Sequence, residues 1–290
     1  MFTDVNAFIT ELEKRRELAR VTDVVDPNLE ISALVDKASK SPGGGPALLF
    51  EKPAGHTMPV AANLYGSMTR ICLALGVTHL DELAREIEDL TTPPMPRGFM
   101  DALKMMPLVG RLSDLMPKTV SDAPCQETVR PDGGLDELPV LTTWPEDGGP
   151  FITLPLVITR DPGTGVRNIG TYRMQVYDRR TTGMHWQRHK GGAQHYRVAE
   201  RLGQRLEVAV ALGADPVLQY AASSAASSRS STGPFVICTS RIGSMCVPTI
   251  HATSRTSCTL TSLSTTMMVL ENMSWPRPQT ACMILRAWPG

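Results

Sequence analysis

The sequence predicts an α+β protein in which an N-terminal α/β domain precedes a mostly antiparallel β module. The first hundred residues alternate helical and strand patterns, which is typical of an α/β domain. From about residue 150 the pattern changes to short β runs joined by turn-forming residues. The chain has 290 residues, 42% hydrophobic and 20% charged, and is long enough for one large domain or two.

The charge balance and the cysteine spacing narrow the function classes. Lys and Arg total 29, as do Asp and Glu, so the basic excess of a nucleic-acid-binding protein is missing. No run of about 18 apolar residues could span a bilayer, and the N-terminus is amphipathic and charged rather than a signal peptide. Six cysteines without Cys-x-x-Cys spacing predict reduced thiols. We therefore expect a cytoplasmic protein without a nucleic-acid partner.

The N-terminal elements are predicted from their caps and apolar periods. Asp26-Pro27 predicts a helix start, and Thr78 with Asp81 predicts a capping box before a second helix. PALLFEK and MPVAANLY read as buried strands between these helices. The triple glycine 43–45 is followed by a strand and not by Gly-Lys-Ser/Thr, which favours a plain loop over a phosphate loop.

The region after residue 92 predicts a linker and then the β module. Residues 92–118 are proline-bounded and Met-rich, as expected of a linker with one amphipathic helix that either packs in a core or covers a substrate. FITLPLVITR, VRNIGTYRMQVYD, MHWQRHK and EVAVAL read as β runs, and AQHYRVAERLG has helical spacing. Together they predict a barrel-like or sandwich module with a helix laid on it.

The last 70 residues differ in composition from the rest. Residues 221–290 contain no Asp or Lys, a single Glu at Glu271, four of the six cysteines and many Ser and Thr. Such a segment lacks the charged surface of a soluble domain. It is either a Ser/Thr-rich disordered tail or the product of a shifted reading frame, and its Cys, Trp and Met residues favour the frameshift. Translating the coding DNA after codon 220 in the other two frames would separate these interpretations.

The stretch NIGTYRMQVYDRRTTGMHWQRHKGGAQH, residues 168–195, gathers the polar groups of a candidate site. Asn168 and a histidine near a carboxylate would suit Mg²⁺ or Mn²⁺. Gly191 and Gly192 before a helix offer backbone N–H groups to a phosphate, with Lys190 adding charge. Trp186 adds a flat apolar face, and together these groups suggest a phosphate-bearing aromatic cofactor.

Arg173 is the natural clamp for a carboxylate, because its planar guanidinium binds two oxygens at once. In an ideal strand, however, Asn168 and Arg173 point to opposite faces, so a shared site requires a bulge, which Gly170 permits. His185 and His189 share a face without one. Each residue taken alone favours an ordinary role, such as a surface pair, a satisfied polar histidine or a turn, and only their clustering favours a site.

Several motifs resemble, in order and spacing, the UbiD-type decarboxylases, a family that uses prenylated FMN and includes the 3-polyprenyl-4-hydroxybenzoate carboxy-lyases. The resemblance covers about residues 4–220. It rests on PCQETV, LPVLTTWPEDGGPFITLPLVITRDPGTGVRNIGTYRMQV, MHWQRHKGGAQHY and VAVALGADP, with FITELEKRRELARVTDVVDPNLEI and PALLFEKPAG at the start.

The resemblance implies a three-part organisation. Residues 1–115 would be the N-terminal α/β domain with its linker helix, and 116–220 an incomplete split β-barrel of the flavin-reductase type that binds the cofactor. Residues 221–290 would be the aberrant tail, in place of the oligomerisation domain with which the family ends. The family forms homo-oligomers, an expectation that the aberrant tail puts in doubt for this chain.

The resemblance also implies the site. Asn168 would hold the divalent metal that bridges protein and cofactor phosphate, with His189 as a second ligand. Arg173 would be the arginine of the family's catalytic Arg-Glu pair. The implied cofactors are prenylated FMN, a divalent metal that we expect to be Mn²⁺, and K⁺ as a further ion. The residues that align with cofactor-lining positions are Thr171, Tyr172, Arg173, His185, Trp186, Gln187, Lys190 and Gly191.

The implied activity is non-oxidative decarboxylation of an aromatic or α,β-unsaturated carboxylic acid, such as a 4-hydroxybenzoate derivative. In the family the acid forms a covalent adduct with prenylated FMN, which a flavin prenyltransferase supplies, and a glutamic acid delivers the proton. The family spans ubiquinone biosynthesis and aromatic acid breakdown, so the motifs do not name the acid.

The chain departs from the family pattern where the glutamates should follow. Arg-Ser-Ser-Thr stands at 229–232 in place of the metal-binding glutamate, and Glu271 lacks the spacing of the proton donor. Two alternatives therefore stay open, a catalytically incomplete flavin- or metal-binding remnant and a flavin-dependent redox enzyme. The second is disfavoured because no nicotinamide-binding fingerprint occurs in the sequence.

Overall fold

The computed structural model of this chain describes residues 2–91, 133–223, 268–269 and 281–287. The first of these ranges alternates helices and strands, as predicted. Its elements are α1 (Val5–Lys14), β1 (Leu18–Val25), α2 (Glu30–Ser39), β2 (Ala47–Pro53), β3 (Val60–Ala62), α3 (Met68–Leu75) and α4 (Leu80–Thr91).

Strands β1 to β3 form the first sheet. β1 runs parallel to β2, β3 pairs antiparallel with β2, and a two-residue strand β10 (Met268–Val269) extends the edge beside β3. The predicted strands PALLFEK and MPVAANLY are confirmed as β2 and β3, which are largely buried. Helix α1 covers one face with four apolar residues at helical spacing, Val5, Phe8, Ile9 and Leu12.

Both predicted helix starts in this region are displaced. Helix α2 begins at Glu30, and its N-cap Leu29 makes no side-chain cap, whereas Asp26 accepts a hydrogen bond from the Asn28 backbone N–H (2.8 Å). Before α4, Glu82 instead of Asp81 reaches back to the backbone N–H of His79 (3.3 Å). The cap signals marked the correct turns, but α2 starts without a side-chain cap and α4 uses Glu82 in place of Asp81.

The second range carries two further sheets and two helices. Strands β9, β5 and β6 form an antiparallel sheet with β11 (Ala281–Ala287) at its edge, and β4, β7 and β8 form a three-stranded antiparallel sheet. The other bounds are β4 (Phe151–Ile152), β5 (Leu156–Arg160), β6 (Arg167–Thr171), β7 (Met174–Val176), β8 (Thr182–Met184), α5 (Gly191–Arg201), β9 (Leu206–Leu212) and α6 (Pro216–Ser223).

The sheet containing β5 and β9 is buried on both faces. Val157, Val208 and Val210 face a core shared with the three-stranded sheet and α5. Leu156 and Ala209, which alternate with them, face a core formed with α6, α3 and α4. Because both faces are covered, β9 reads as the nearly unbroken apolar run LEVAVAL, and the N-terminal helices share a core with the β module.

Two predicted continuous strands are broken. VRNIGTYRMQVYD forms β6 and β7 in different sheets, with Tyr172 and Arg173 between them. FITLPLVITR is likewise split into β4 and β5, and the strand predicted over MHWQRHK ends at Met184. The chain leaves one sheet and enters the other at these points, which the apolar pattern does not reveal because both segments are buried.

The remaining expectations fall partly outside the described ranges. The predicted linker and helix at 92–118 and most of the tail lie there, apart from the strands β10 and β11. The triple glycine forms a turn, with Gly43 to Gly45 all at positive φ, as expected for a plain loop. Among the described helices, none has the length and apolarity that crossing a bilayer requires.

Candidate functional site

The candidate site lies at the start of helix α5, where three segments of the β module meet. β6 contributes Asn168, the link between β6 and β7 contributes Tyr172, and the loop after β8 contributes Trp186. Helix α5 begins at Gly191, and its first turn holds no acidic residue. Exposed N–H groups and the helix dipole make such an end locally positive, so an anion is favoured there.

The Tyr172 hydroxyl ties β6 to α5. It accepts hydrogen bonds from the Asn168 amide nitrogen Nδ2 and from the backbone N–H of Gly192, both at 3.2 Å. Tyr172 and Asn168 are buried, with exposed fractions of 6% and 8%. The phenol oxygen thus lies against the N–H groups that a bound anion would use.

Glycines make this close packing sterically feasible. A Cβ atom on Gly191 would lie 2.2 Å from the Asn168 amide oxygen, and one on Gly192 would lie 2.7 Å from the Trp186 indole nitrogen. One on Gly170 would meet the Tyr172 ring at 2.7 Å. Real Cβ atoms do not approach other atoms so closely, and the three side chains can therefore contact the helix start only because these positions are glycine.

Trp186 lies edge-on to Tyr172, with ring centroids 6.4 Å apart and an interplanar angle of 86°. Its indole N–H is buried without a hydrogen-bond partner in the part of the chain that the structure describes. An unpartnered buried donor costs about 1–3 kcal/mol. Beside the positive end of a helix, such a donor fits a bound acceptor such as a phosphate oxygen.

Arg173 directly precedes β7 and His185 directly follows β8, beside the three-stranded sheet. The Arg173 guanidinium lies over the Phe151 ring, 5.2 Å from its centroid, and its backbone carbonyl accepts from the His185 N–H at 3.2 Å. Burial lowers the pKa of Arg173, and the nearby Asp147 carboxylate opposes this effect. His185 Nδ1 is a second buried atom without a partner among the described residues.

The remaining predicted residues are distributed around the cluster. Thr171 contacts helix α6, since its hydroxyl lies 3.1 Å from that of Ser223 and accepts from the Gln219 amide at 3.3 Å. Gln187 and His189 are exposed on the turn before α5, and Lys190 is the N-cap residue of α5 without a side-chain cap bond. The bulge expected at Gly170 is unnecessary, because the chain changes sheets after Thr171.

Other buried polar residues of this range were not singled out from the sequence. Thr153, between β4 and β5, has a buried hydroxyl without a described partner, and so does Thr182 at the start of β8. Gln219 is buried and reaches Thr171 across the sheet. Thr153, Thr182 and Gln219 carry no sequence signal, since isolated hydroxyl and amide residues are common in any protein.

Two family models match the chain. The 3-octaprenyl-4-hydroxybenzoate carboxy-lyase N-terminal domain matches residues 9–90, and the Rift-related domain of the same carboxy-lyase matches residues 118–232. The chain belongs to the UbiD family. The second match includes the whole of the UbiD-family site cluster, from Asn168 to Gly192.

Relatives of this UbiD-family chain are longer than the chain itself. An uncharacterized protein of Aquifex aeolicus is 45% identical over 223 residues, which is 77% of this chain and 46% of that protein. The chain thus spans about half the length of the relatives it matches.

Solved structures agree in fold. The vanillic acid decarboxylase of Sedimentibacter hydroxybenzoicus in its closed form superposes with a TM-score of 0.67 at 27% identity, covering 81% of this chain and 48% of that one. An evolved dimeric form of the UbiD-class enzyme HmfF from Pelotomaculum thermopropionicum, in complex with prFMN, gives 0.64 at 27% identity, covering 81% and 50%. The mixed α/β architecture with small sheets is therefore that of UbiD-class decarboxylases.

Proposed function

We propose that this chain holds the cofactor of a non-oxidative decarboxylase that acts on aromatic or α,β-unsaturated carboxylic acids, such as a 4-hydroxybenzoate derivative, with prenylated FMN. The proposal rests on one observation: Asn168, Tyr172 and Trp186 all pack against the start of α5, where Gly191 and Gly192 leave room for them. Family membership and the likeness to aromatic-acid decarboxylases support the reaction class.

The cofactor phosphate would bind at the start of α5. Gly191 and Gly192 offer backbone N–H groups there, the buried Trp186 N–H is free of protein partners in the described ranges, and Lys190 adds positive charge at the N-cap. These are the groups that bind a phosphate well. Because the Tyr172 hydroxyl already accepts from Gly192 N–H, it would move aside or share that donor when the phosphate binds.

Asn168 and His189 are the residues that would hold the divalent metal. The Asn168 amide oxygen faces the first residue of α5, and His189 lies on the turn immediately before it. Amide oxygen and imidazole nitrogen together suit Mn²⁺. Within the described ranges no three His, Cys, Asp or Glu side chains form a cluster. K⁺ stays a prediction.

Arg173 would bind the substrate carboxylate. A partly buried guanidinium is stabilised by an anion, and the lowered pKa of Arg173 reflects its desolvation. The buried Phe151 ring beneath the guanidinium helps to hold it in place. When bound, prenylated FMN supplies the electron sink that CO₂ loss from an sp² carbon needs. Arg173 orients the acid, and the buried residues around it keep water away.

Carbon dioxide release tests the proposal. The chain with its reading frame restored after residue 220, loaded with prenylated FMN and Mn²⁺, is expected to release CO₂ from at least one of a panel of such acids. Arg173→Lys, which keeps the charge but loses the bidentate geometry, should raise KM at least about ten-fold. The panel should pair each acid with its methyl ester, which must not react. If no acid releases CO₂ although the cofactor binds, the decarboxylase assignment is wrong.

A catalytically incomplete flavin-binding remnant is the second candidate. The sequence favours it because Arg-Ser-Ser-Thr occupies 229–232, where the family pattern expects a glutamate. This candidate predicts that the chain of 290 residues binds FMN without turnover of any acid. Assembly into a homo-oligomer, cofactor supply by a flavin prenyltransferase, the split-barrel description and a cytoplasmic location stay predictions.

A further inference from the structure

A cavity of about 530 Å³ lies away from the α5 site, between helix α2, strand β3 and the loop at 141–145. Its wall is mainly apolar, with Leu29, Val35, Leu64, Leu141 and Leu154 contributing, and Trp144 lies at its edge with 61% of its surface exposed. Small-molecule sites are commonly apolar cavities of about 300–1,000 Å³ with a few polar groups. The cavity thus has the size and the composition of a ligand site.

The cavity wall is held by a strained turn. Leu29 has φ 71° and ψ −37°, and the Glu30 N–H donates to the Asn28 carbonyl at 2.9 Å, which is a γ-turn with positive φ. The Leu29 N–H donates to the Thr142 carbonyl at 3.0 Å, fixing α2 against the loop. Such a backbone costs about 1–3 kcal/mol and persists where its surroundings enforce it. The turn therefore keeps the cavity open in a defined shape.

The polar side chains of the wall donate their hydrogen bonds to other protein groups. The hydroxyl of Ser39 donates to the Asp36 carbonyl (2.9 Å), and that of Thr143 to the Asp147 carboxylate (2.6 Å). Ser32 likewise donates to the Thr142 carbonyl at 3.5 Å.

The Asn63 amide nitrogen likewise donates both of its hydrogen bonds to protein groups, the carbonyls of Gly44 and Pro46, each at 2.8 Å. Apart from the indole N–H of exposed Trp144, the lining side chains thus retain acceptor oxygens only.

The charge of the cavity wall also favours a ligand that donates hydrogen bonds. Asp36 is the one charged residue among those that line the cavity in the described structure, and Lys40 pairs with its Oδ2 atom at 2.7 Å. An anionic ligand would meet a carboxylate without a cation on the lining itself. A neutral ligand with O–H donors would instead find a carboxylate and hydroxyl oxygens ready to accept.

We propose that this cavity binds a neutral hydroxylated aromatic ring, a phenol or catechol, and discriminates against the corresponding carboxylic acid. The apolar walls and the edge of Trp144 accommodate the ring, and the acceptor oxygens of Asp36 and its neighbours receive the hydroxyl hydrogens. The inference does not depend on the decarboxylase proposal, because none of the cavity residues belongs to the α5 cluster.

Calorimetric titration of the 290-residue chain, without flavin, tests this assignment. Catechol is expected to bind at least about ten-fold more tightly than 3,4-dihydroxybenzoate at pH 7, a difference that corresponds to about 1.4 kcal/mol. Asp36→Asn should reduce this ratio by admitting the acid. Equal affinity for both ligands in the unaltered chain, or an unchanged ratio in Asp36→Asn, would overturn the proposal, as would tighter binding of a cationic aromatic amine than of catechol.

Two variants localise the binding. Ala33 is exposed and lines the cavity, so Ala33→Phe should fill the space at little cost in stability and weaken catechol at least about ten-fold. Lys37→Phe, exposed on the same helix but outside the lining, is the matched control and should bind normally. Trp144→Ala gives a second check at the edge. Unchanged catechol affinity in both Ala33→Phe and Trp144→Ala contradicts the proposal.

A second copy of the chain is the competing occupant. If the cavity were covered in a dimer, sedimentation velocity would show a dimer that dissociates in Ala33→Phe and persists in Lys37→Phe. That result would overturn the small-molecule assignment. The small-molecule assignment is supported if the unaltered chain, Ala33→Phe and Lys37→Phe are all monomers and only the unaltered chain and Lys37→Phe bind catechol normally.

Discussion

Tyr172 gives the candidate site its shape at the level of single residues. Its hydroxyl accepts from the Asn168 side chain and the Gly192 backbone, and its ring lies over Gly170. The first backbone N–H groups of a helix have no partner within the helix, and a phenol oxygen at the helix start can accept from one of them. The residue therefore links β6 to α5 and occupies, without a ligand, part of the space proposed for the phosphate.

Tyr172→Phe should destabilise the fold. Removing the oxygen leaves two buried donors without a partner, so the free energy of unfolding should fall by about 1–3 kcal/mol. Urea unfolding followed by circular dichroism measures this change. A fall of less than about 0.5 kcal/mol would mean that the Tyr172 hydroxyl contributes little to stability.

Gly191→Ala tests the steric argument at the same site. The added Cβ would lie 2.2 Å from the Asn168 amide oxygen and must displace it, which should cost about 1–3 kcal/mol of stability. Gly163→Ala is the control, since its Cβ would make only ordinary contacts of 3.4 Å or more. Thermal unfolding should separate the two variants, and a neutral Gly191→Ala would show that Asn168 is free to move.

At the scale of elements, helix α6 begins with a strained electrostatic arrangement. The Asp215 carboxylate caps the helix, accepting from the backbone N–H groups of Val217 and Leu218 at 2.8 and 3.0 Å. Burial nevertheless raises the pKa of Asp215 to about 6, and the nearby Asp4 carboxylate adds to this effect. Its second oxygen, Oδ2, is buried without a partner in the described structure. The ionised form is thus disfavoured in the folded state.

The stability of the chain should therefore depend on pH through Asp215. Because the pKa is raised in the folded state, its stabilising contribution is complete below about pH 4, near the unfolded value, and is lost as the pH rises through about 6. Asp215→Asn keeps the capping oxygen and cannot ionise. The free energy of unfolding of Asp215→Asn, measured by chemical unfolding and taken relative to wild type, should rise by on the order of 2 kcal/mol from pH 4 to pH 7.5. A difference independent of pH would contradict this account.

Sequence patterns predicted regular elements better than their ends. The helix over AQHYRVAERLG and the strands over PALLFEK and EVAVAL form as predicted, because their apolar periods match one buried face or two. The start of α2 was misplaced because the γ-turn at Leu29 is set by contacts with the distant residue Thr142. A turn enforced by a tertiary contact leaves no local signal.

The site could be predicted only in part for a similar reason. The Gly-Gly pair and Asn168 carry recognisable chemistry, and the structure brings them together. Arg173 lies in the link where the chain passes from β6 to β7, and Thr171 contacts Gln219 on α6, 48 residues further along the chain. Neither feature follows from strand alternation, which assumes one continuous sheet.

At the scale of the whole molecule, the central sheet joins the two parts of the chain. Its faces are covered by the three-stranded sheet with α5 on one side and by α6, α3 and α4 on the other. The α5 site lies on the first of these sides, and the α2 cavity lies between α2, β3 and the loop at 141–145. The chain spans about half the length of its relatives, and the α5 site lies within the part that they share.

The comparison of FMN with riboflavin tests the central claim most directly, because the two flavins differ only in the phosphate. Calorimetric titration of the chain in the presence of Mn²⁺ should show FMN binding at least about 100-fold more tightly than riboflavin, as expected for several charge-assisted hydrogen bonds. Gly191→Ala and Asn168→Ala should reduce that ratio to near one, while Gly163→Ala should preserve it. Equal affinities of FMN and riboflavin for the unaltered chain would contradict a phosphate site at the start of α5.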